Sequence, residues 1–194
     1  GWGDDLSKIK APLGVYSILG NHDYGEYTSW KSNEEKNRNF KNLLKAQKEF
    51  GWNLLLNEND TINMDGNKIK VIGVENWASS RFQQYGDLDK AYNGLDNEDF
   101  KILMTHNPSH WNAKVTDAYN DIDLTLSGHT HGLQYGIDIG DFRVSPVRLA
   151  YKQWADLYEL NKQYIYVNRG FGFMGYPGRV GILPEITILE LKKS

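Results

Sequence analysis

Two histidines one residue apart, His129 and His131, close an apolar run that reads Leu124-Thr-Leu-Ser-Gly-His-Thr-His-Gly132. Side chains at i and i+2 point the same way only where the backbone is extended, and imidazoles so placed can share a metal ion. Gly128 and Gly132 let the chain leave the strand sharply. That puts both rings at the carboxyl end of a sheet, where open α/β folds bind ligands. Two further apolar runs break off in the same manner. Val15-Tyr-Ser-Ile-Leu-Gly-Asn21-His22-Asp23 ends in an amide, an imidazole and a carboxylate, and Ile102-Leu-Met-Thr-His106-Asn-Pro108 ends in a lone imidazole. Three strand ends carrying metal-ligand chemistry in one chain point to a common site.

A histidine pair alone supports other readings, including two polar residues in a turn. A metallo-β-lactamase-like hydrolase calls for an Asp two residues after the second histidine, where Leu133 stands. An amidohydrolase barrel is too large for 194 residues. A cupin needs an all-β pattern, which the helical stretch 33–50 contradicts.

Taken together, the motifs resemble the calcineurin-like metallophosphoesterases, whose blocks in chain order are DxH, GDxxD, GNH(D/E), a lone His and GHxH. Gly20-Asn21-His22-Asp23 is similar to the third block, His106 to the fourth and Gly128-His129-Thr130-His131 to the fifth, over a region from Leu13 to about Gly132. Asn168-Arg169-Gly170-Phe171-Gly172 and the stretch from Arg179 to Ile186 resemble the closing part of a bacterial, often membrane-associated branch. The resemblance implies two divalent ions, Mn, Fe or Zn, with Asn21, His106 and His129 on one and His131 on the other. It also implies that His22 contacts the phosphate and protonates the leaving oxygen, and that Asp23 orients His22, unless that carboxylate caps its own turn. Arg169 and Arg179 are candidates to meet a phosphate or head group, since guanidinium geometry suits phosphate; strand-end surface arginines are the alternative. The run Phe171-Gly-Phe-Met-Gly-Tyr-Pro177 reads as an apolar wall for a lipid-like substrate, as a membrane-docking face or as core.

The departures from the pattern weigh as much. None of the five histidines follows an Asp at i−2, where Gly20, Met104, Pro108, Ser127 and His129 stand. No GDxxD occurs either. The blocks that would supply an Asp and a His to the first ion, and a bridging Asp, are missing. The expectation is an N-terminally truncated single domain over residues 1–194 that binds metal weakly or singly and has little activity alone. The alternative is a non-catalytic binding or scaffold domain on the same fold.

Composition sets outer limits. A net charge of −3 leaves no basic footprint for nucleic acid. With 40% hydrophobic and 24% charged residues and no run long enough to span a bilayer, the chain reads as soluble and globular; any membrane association would come from a segment outside it. The absence of cysteine excludes thiolate ligands and disulfides and leaves the compartment open. The implied partner is a phosphorylated small molecule or lipid-like substrate.

The elements that must hold these residues follow from periodicity. Residues 4–11 read as a helix tail ending before Pro12, and 13–19 as a buried strand leading to Asn21. An aromatic loop over 24–30 reads as a lid. Ser32 with Glu35 forms a capping box for a helix over 33–50, ended by Gly51. Strands are predicted at 53–57, 61–64 and 68–74, with a turn at Asp65-Gly66, followed by a loop with one short helix over 78–99. A strand 100–105 delivers His106, and a helix 109–119 carries His110, read as solvated or capping. A strand 122–127 delivers the histidine pair. A hairpin over 134–144 and late strands at 157–160, 164–167 and 185–191 complete the chain. The fold class is α/β, a mixed β-sheet sandwich flanked by helices, metallophosphoesterase-like, with its N-terminal part missing.

Overall fold

Parallel pairing of apolar strands sends all their carboxyl ends to one rim, and that rule builds this molecule's working edge. The structure, a computed structural model, describes residues 2–78, 83–96, 99–140 and 142–192. Strands β1 (Tyr16–Ser17) and β2 (Asn53–Leu54) form a short parallel ribbon. The main sheet comprises β3 (Glu58–Met64), β4 (Asn67–Gly73), β5 (Phe100–Met104), β6 (Leu124–Ser127), β9 (Asp156–Leu160) and β10 (Gln163–Val167). Between them, β7 (Ile137–Ile139) and β8 (Phe142–Val144) make a second ribbon, the predicted hairpin. The main sheet runs β3-β4-β5-β6-β10-β9. Strands β4, β5, β6 and β10 are mutually parallel, and β3 and β9 close the edges antiparallel.

One face of the sheet is covered by helix. Ile72, Leu103, Ile165 and Val167 pack there against Leu88 and Ala91, Trp111 and Val115. Each large apolar side chain so buried contributes about 1.5–3 kcal/mol. Helices α1 (Gly3–Leu6), α2 (Asn33–Glu49), α3 (Leu88–Tyr92) and α4 (Thr116–Ala118) complete the element list. The start of α2 follows the predicted cap, with Ser32 Oγ accepting from the Glu35 amide at 3.3 Å. The Glu35 carboxylate accepts from the Lys31 N–H, one residue upstream of the position a capping box would use. Gly51, at φ +75°, ends the helix in the left-handed conformation that glycine adopts without cost.

Several predicted elements are shorter or absent. The strand over 13–19 is reduced to Tyr16–Ser17 because its partner β2 is itself two residues long, so the ladder stops at the bonds from Asn53 N to Val15 O and Leu55 N to Ser17 O. The helix over 4–11 ends at Leu6, and that over 109–119 is a wide turn at Trp111–Val115 running into α4. The helix in the 78–99 loop is α3, while 79–82 and 97–98 lie outside the described residues. Residues 185–191 form no strand. Ile186 and Ile188 are 84% and 93% exposed. Alternation fixes which side chains share a face, but a strand also needs a free neighbouring edge, and among the described residues none pairs with this one. His110, predicted solvated or capping, is fully buried. Besides the six-stranded mixed sheet, the described strands form two ribbons of two strands each.

Candidate metal centre

The rim where β5 and β6 end is fastened by main-chain bonds. Thr105 N donates to Leu126 O, Gly128 N to His106 O at 3.1 Å, and Asn168 N to Ser127 O at 2.8 Å. Ser127 Oγ adds a bond to His106 O. Asn21 arrives from the far side on the turn after β1. That turn fits against the His106 ring only because residue 20 is glycine, since a Cβ there would lie 2.7 Å from the imidazole.

Three atoms converge. Asn21 Oδ1 is 2.8 Å from His106 Nε2 and 3.2 Å from His129 Nδ1, and the two ring nitrogens are 3.0 Å apart. The second-layer partners fix which atoms face inward. Asn21 Nδ2 donates to Tyr27 Oη at 2.8 Å, which turns the amide oxygen to the cluster. His129 Nε2 lies 2.7 Å from Tyr151 Oη; in the tautomer that presents a lone pair at Nδ1, Nε2–H donates to that phenol. Burial pushes His106 down to about 3 and His129 down to about 4, with neighbouring histidines as the next causes, so both rings are neutral at neutral pH. Burial first and Arg179 second also lower His131.

Three inward lone pairs 2.8–3.2 Å apart repel one another unless a proton or a cation lies among them. Cis ligands of a six-coordinate ion with bonds of ~2.1 Å stand ~3.0 Å apart, so this donor set fits a divalent ion. His131 lines the same cavity of about 340 Å³, with its Nδ1 buried and without a partner. Among the described residues no three His, Cys, Asp or Glu side chains form a metal cage. What converges is two imidazoles and an amide, and among the described residues no Asp or Glu lines the cavity.

The remaining predicted site residues divide. His22 stands exposed at the cavity wall, its ring stacked on Tyr27 at 4.4 Å and 25°. Asp23 does not orient it: the carboxylate accepts from Gly20 N at 2.7 Å and closes its own turn, and burial raises its pKa. Arg169 is engaged by Glu185 and Asp138. Arg179 donates to the carbonyls of Arg169, Gly172, His131 and Leu183. Both guanidiniums therefore strap the C-terminal segment together; neither lines the cavity. Tyr27 and Tyr151, which aim the ligating atoms, carried no sequence signal beyond the lid reading of residues 24–30.

Comparison with known proteins agrees with this geometry. Residues 2–133 match the calcineurin-like phosphoesterase family. An uncharacterized metallophosphoesterase, YkuE, from Bacillus subtilis is 32% identical over 97% of this chain and 60% of its own length. A bovine transmembrane protein with a metallophosphoesterase domain is 30% identical over 97% of this chain and 41% of its own. A Campylobacter jejuni uncharacterized metallophosphoesterase, Cj0846, is 33% identical over 96% and 44%. The chain thus spans between two fifths and three fifths of these relatives. No helix among the described residues is long and apolar enough to cross a membrane. On its motifs, its rim geometry and the family match, the chain belongs to the calcineurin-like phosphoesterases.

Proposed function

We propose that this rim is part of the centre of a metal-dependent phosphoester hydrolase acting on a phosphomonoester or phosphodiester. We further propose that the chain alone holds a divalent ion weakly and turns over little substrate. The observation that supports this is the convergence of Asn21 Oδ1, His106 Nε2 and His129 Nδ1. Those three atoms would hold one ion, Mn, Fe or Zn, and His131 would contribute to a second. When bound, such ions neutralise phosphoryl oxygens and acidify water. Tyr27 and Tyr151 keep the amide oxygen and the His129 lone pair aimed inward. His22, exposed at the wall and stacked on Tyr27, would donate a proton to the leaving oxygen. Weak affinity follows from charge, because a neutral donor set leaves the ion's two positive charges uncompensated. Membrane association of a longer protein is part of the same proposal, on the strength of the bovine relative's name.

Titration of the chain with Mn²⁺ by calorimetry, beside hydrolysis of bis-p-nitrophenyl phosphate by the longest natural form of the protein, tests it. Weak single-site binding here and metal-dependent turnover there are expected. Two tight sites on this chain would overturn the weak-binding claim. Absence of turnover in every form would favour a scaffold on the same fold, a reading consistent with the lack of a carboxylate in the cavity.

A further inference from the structure

The cavity at the histidines is lined by two chemically distinct sets of side chains. Asn21, His22, His106, His129 and His131 form one, and Leu133, Pro146, Val147, Ala150 and Met174 form the other. The polar groups that border the apolar side are already engaged. Thr130 Oγ1 donates to Trp154 O at 2.7 Å, and Tyr151 Oη is on His129. Pro146 also lines a second cavity of about 550 Å³, together with Tyr135, Ile137, Val144, Arg148, Leu149 and Val180. Much of this surface stays wet: Leu149 is 88% exposed, Val180 50% and Leu133 40%. Apolar side chains left in water beside a polar site mark a binding surface and not a core.

Leu133 shows that the arrangement is held against a cost. It sits at φ +52° and ψ 12°, the left-handed region, directly after Gly132. A branched L-residue loses roughly 1–2 kcal/mol there, and glycine would lose nothing. Packing does not explain the choice, since the side chain is half in solvent. Strain that persists at a position facing a ligand cavity is a pointer to function.

We infer that the substrate's alcohol portion is a hydrocarbon. Resting on the phosphoester reading above, the phosphate lies on the imidazole side, and the chain runs along Leu133 and Val147, over Pro146, toward Leu149. A sugar or nucleoside alcohol would bring hydroxyl and amide groups against the Leu133, Pro146, Val147 and Ala150 side chains, which offer them no hydrogen bond, and that is costly when water is excluded. An alkyl or lipid-type chain meets mainly carbon and one thioether, with Tyr135 and Arg148 at its far end.

The test compares ethyl phosphate, octyl phosphate below its aggregation concentration, and 1-octanol by calorimetry in Mn²⁺ buffer. Octyl phosphate is expected to bind more than about tenfold tighter than either of the others, since each buried methylene adds favourable transfer energy. Leu133→Gly and Leu149→Ser should each shrink that advantage. Both sites are exposed, so the variants keep the fold, as a thermal melt verifies. Equal binding of ethyl and octyl phosphate overturns the hydrocarbon subsite and leaves the phosphoester reading intact. Equal binding of octanol and octyl phosphate shows a groove that ignores phosphate and overturns both. No binding by any probe also overturns both. Binding to phosphatidylcholine vesicles without a chain-length effect on the phosphates would make the face a membrane-docking surface and overturn the subsite.

Discussion

His106 and His110 are four residues apart, both lie beyond the end of β5, and burial pushes both down to about 3. Their surroundings are opposite. The His106 Nε2 lone pair meets Asn21 Oδ1 and His129 Nδ1 across a cavity. His110 is stacked on Trp77 at 4.5 Å and 15°, with Nδ1 3.0 Å from Thr105 Oγ1 and Nε2 buried without a partner. Loss of water sets the protonation state of each ring equally. What stands opposite the remaining nitrogen decides whether a neutral imidazole is a ligand or a piece of core. A depressed histidine is therefore no mark of a site by itself; convergence with other donors is.

The largest expected effect is on stability, where burial makes itself felt. In the unfolded chain His110 takes up a proton below about 6.5, and in the folded chain only below about 3. Between those values the unfolded state holds more protons. Stability is therefore complete above about 6.5 and falls as pH drops through that window. The loss for this residue is on the order of 3 kcal/mol by pH 4. His110→Phe keeps a ring on Trp77 and removes the titration. Urea midpoints from pH 7 to pH 4 should fall less steeply in the variant, with His106 and His129 still contributing, although at pH 7 it starts about 1 kcal/mol lower for want of the Thr105 bond. An unchanged slope would place the charge change elsewhere.

The next effects concern affinity and should spare His110. His106→Ala removes one corner of the donor triangle and should take Mn²⁺ binding below detection in calorimetry, whereas His110→Phe should leave it within about threefold, as core changes remote from ligating atoms do. Tyr151→Phe is milder. It keeps the ring against Val147 and Trp154 but deprives His129 Nε2–H of its acceptor, so the tautomer is no longer fixed. Loss of an outer-shell partner of this kind costs about tenfold in metal affinity. If Tyr151→Phe binds Mn²⁺ as the parent does, the inward orientation of His129 is not set by that phenol.

How much of this was legible from the sequence follows from where each contact lies. His106 and His129 were readable because parallel strands must deliver their carboxyl ends to one rim, and Asn21 because a short apolar run ending in ligand-type residues announces a strand end, although β1 belongs to a separate ribbon. The start of α2 at Ser32 and the β7–β8 hairpin were readable because their determinants are local. Tyr151 was not, since its partner is 22 residues away, on the other side of the β7–β8 hairpin, and no local pattern joins the two. Asp23 and Arg169 were left with two readings each for a different reason. A carboxylate can turn to a ring or to its own turn, and a guanidinium fits phosphate and carboxylate alike. Only the structure shows Asp23 on Gly20 N and Arg169 between Asp138 and Glu185. The segment 185–191 carries a correct alternation with no edge to receive it.

The smallest expected effect sharpens the comparison from the ligand side. If His110 is core and the rim is site, the core should gain nothing from substitution while the rim should, because only the rim accepts poor backbone geometry for the sake of a ligand. Leu133 supplies the case, with φ +52° in a run of left-handed residues that includes His131, Gly132 and Gln134. Leu133→Gly relieves roughly 1–2 kcal/mol of backbone cost against the greater freedom glycine has in the unfolded chain, about 0.5–1 kcal/mol. The net gain should be up to about 1 kcal/mol in a urea melt at pH 7. A loss of stability in that variant would mean that the Leu133 side chain is holding the loop together, and the position would then belong with His110 as structure.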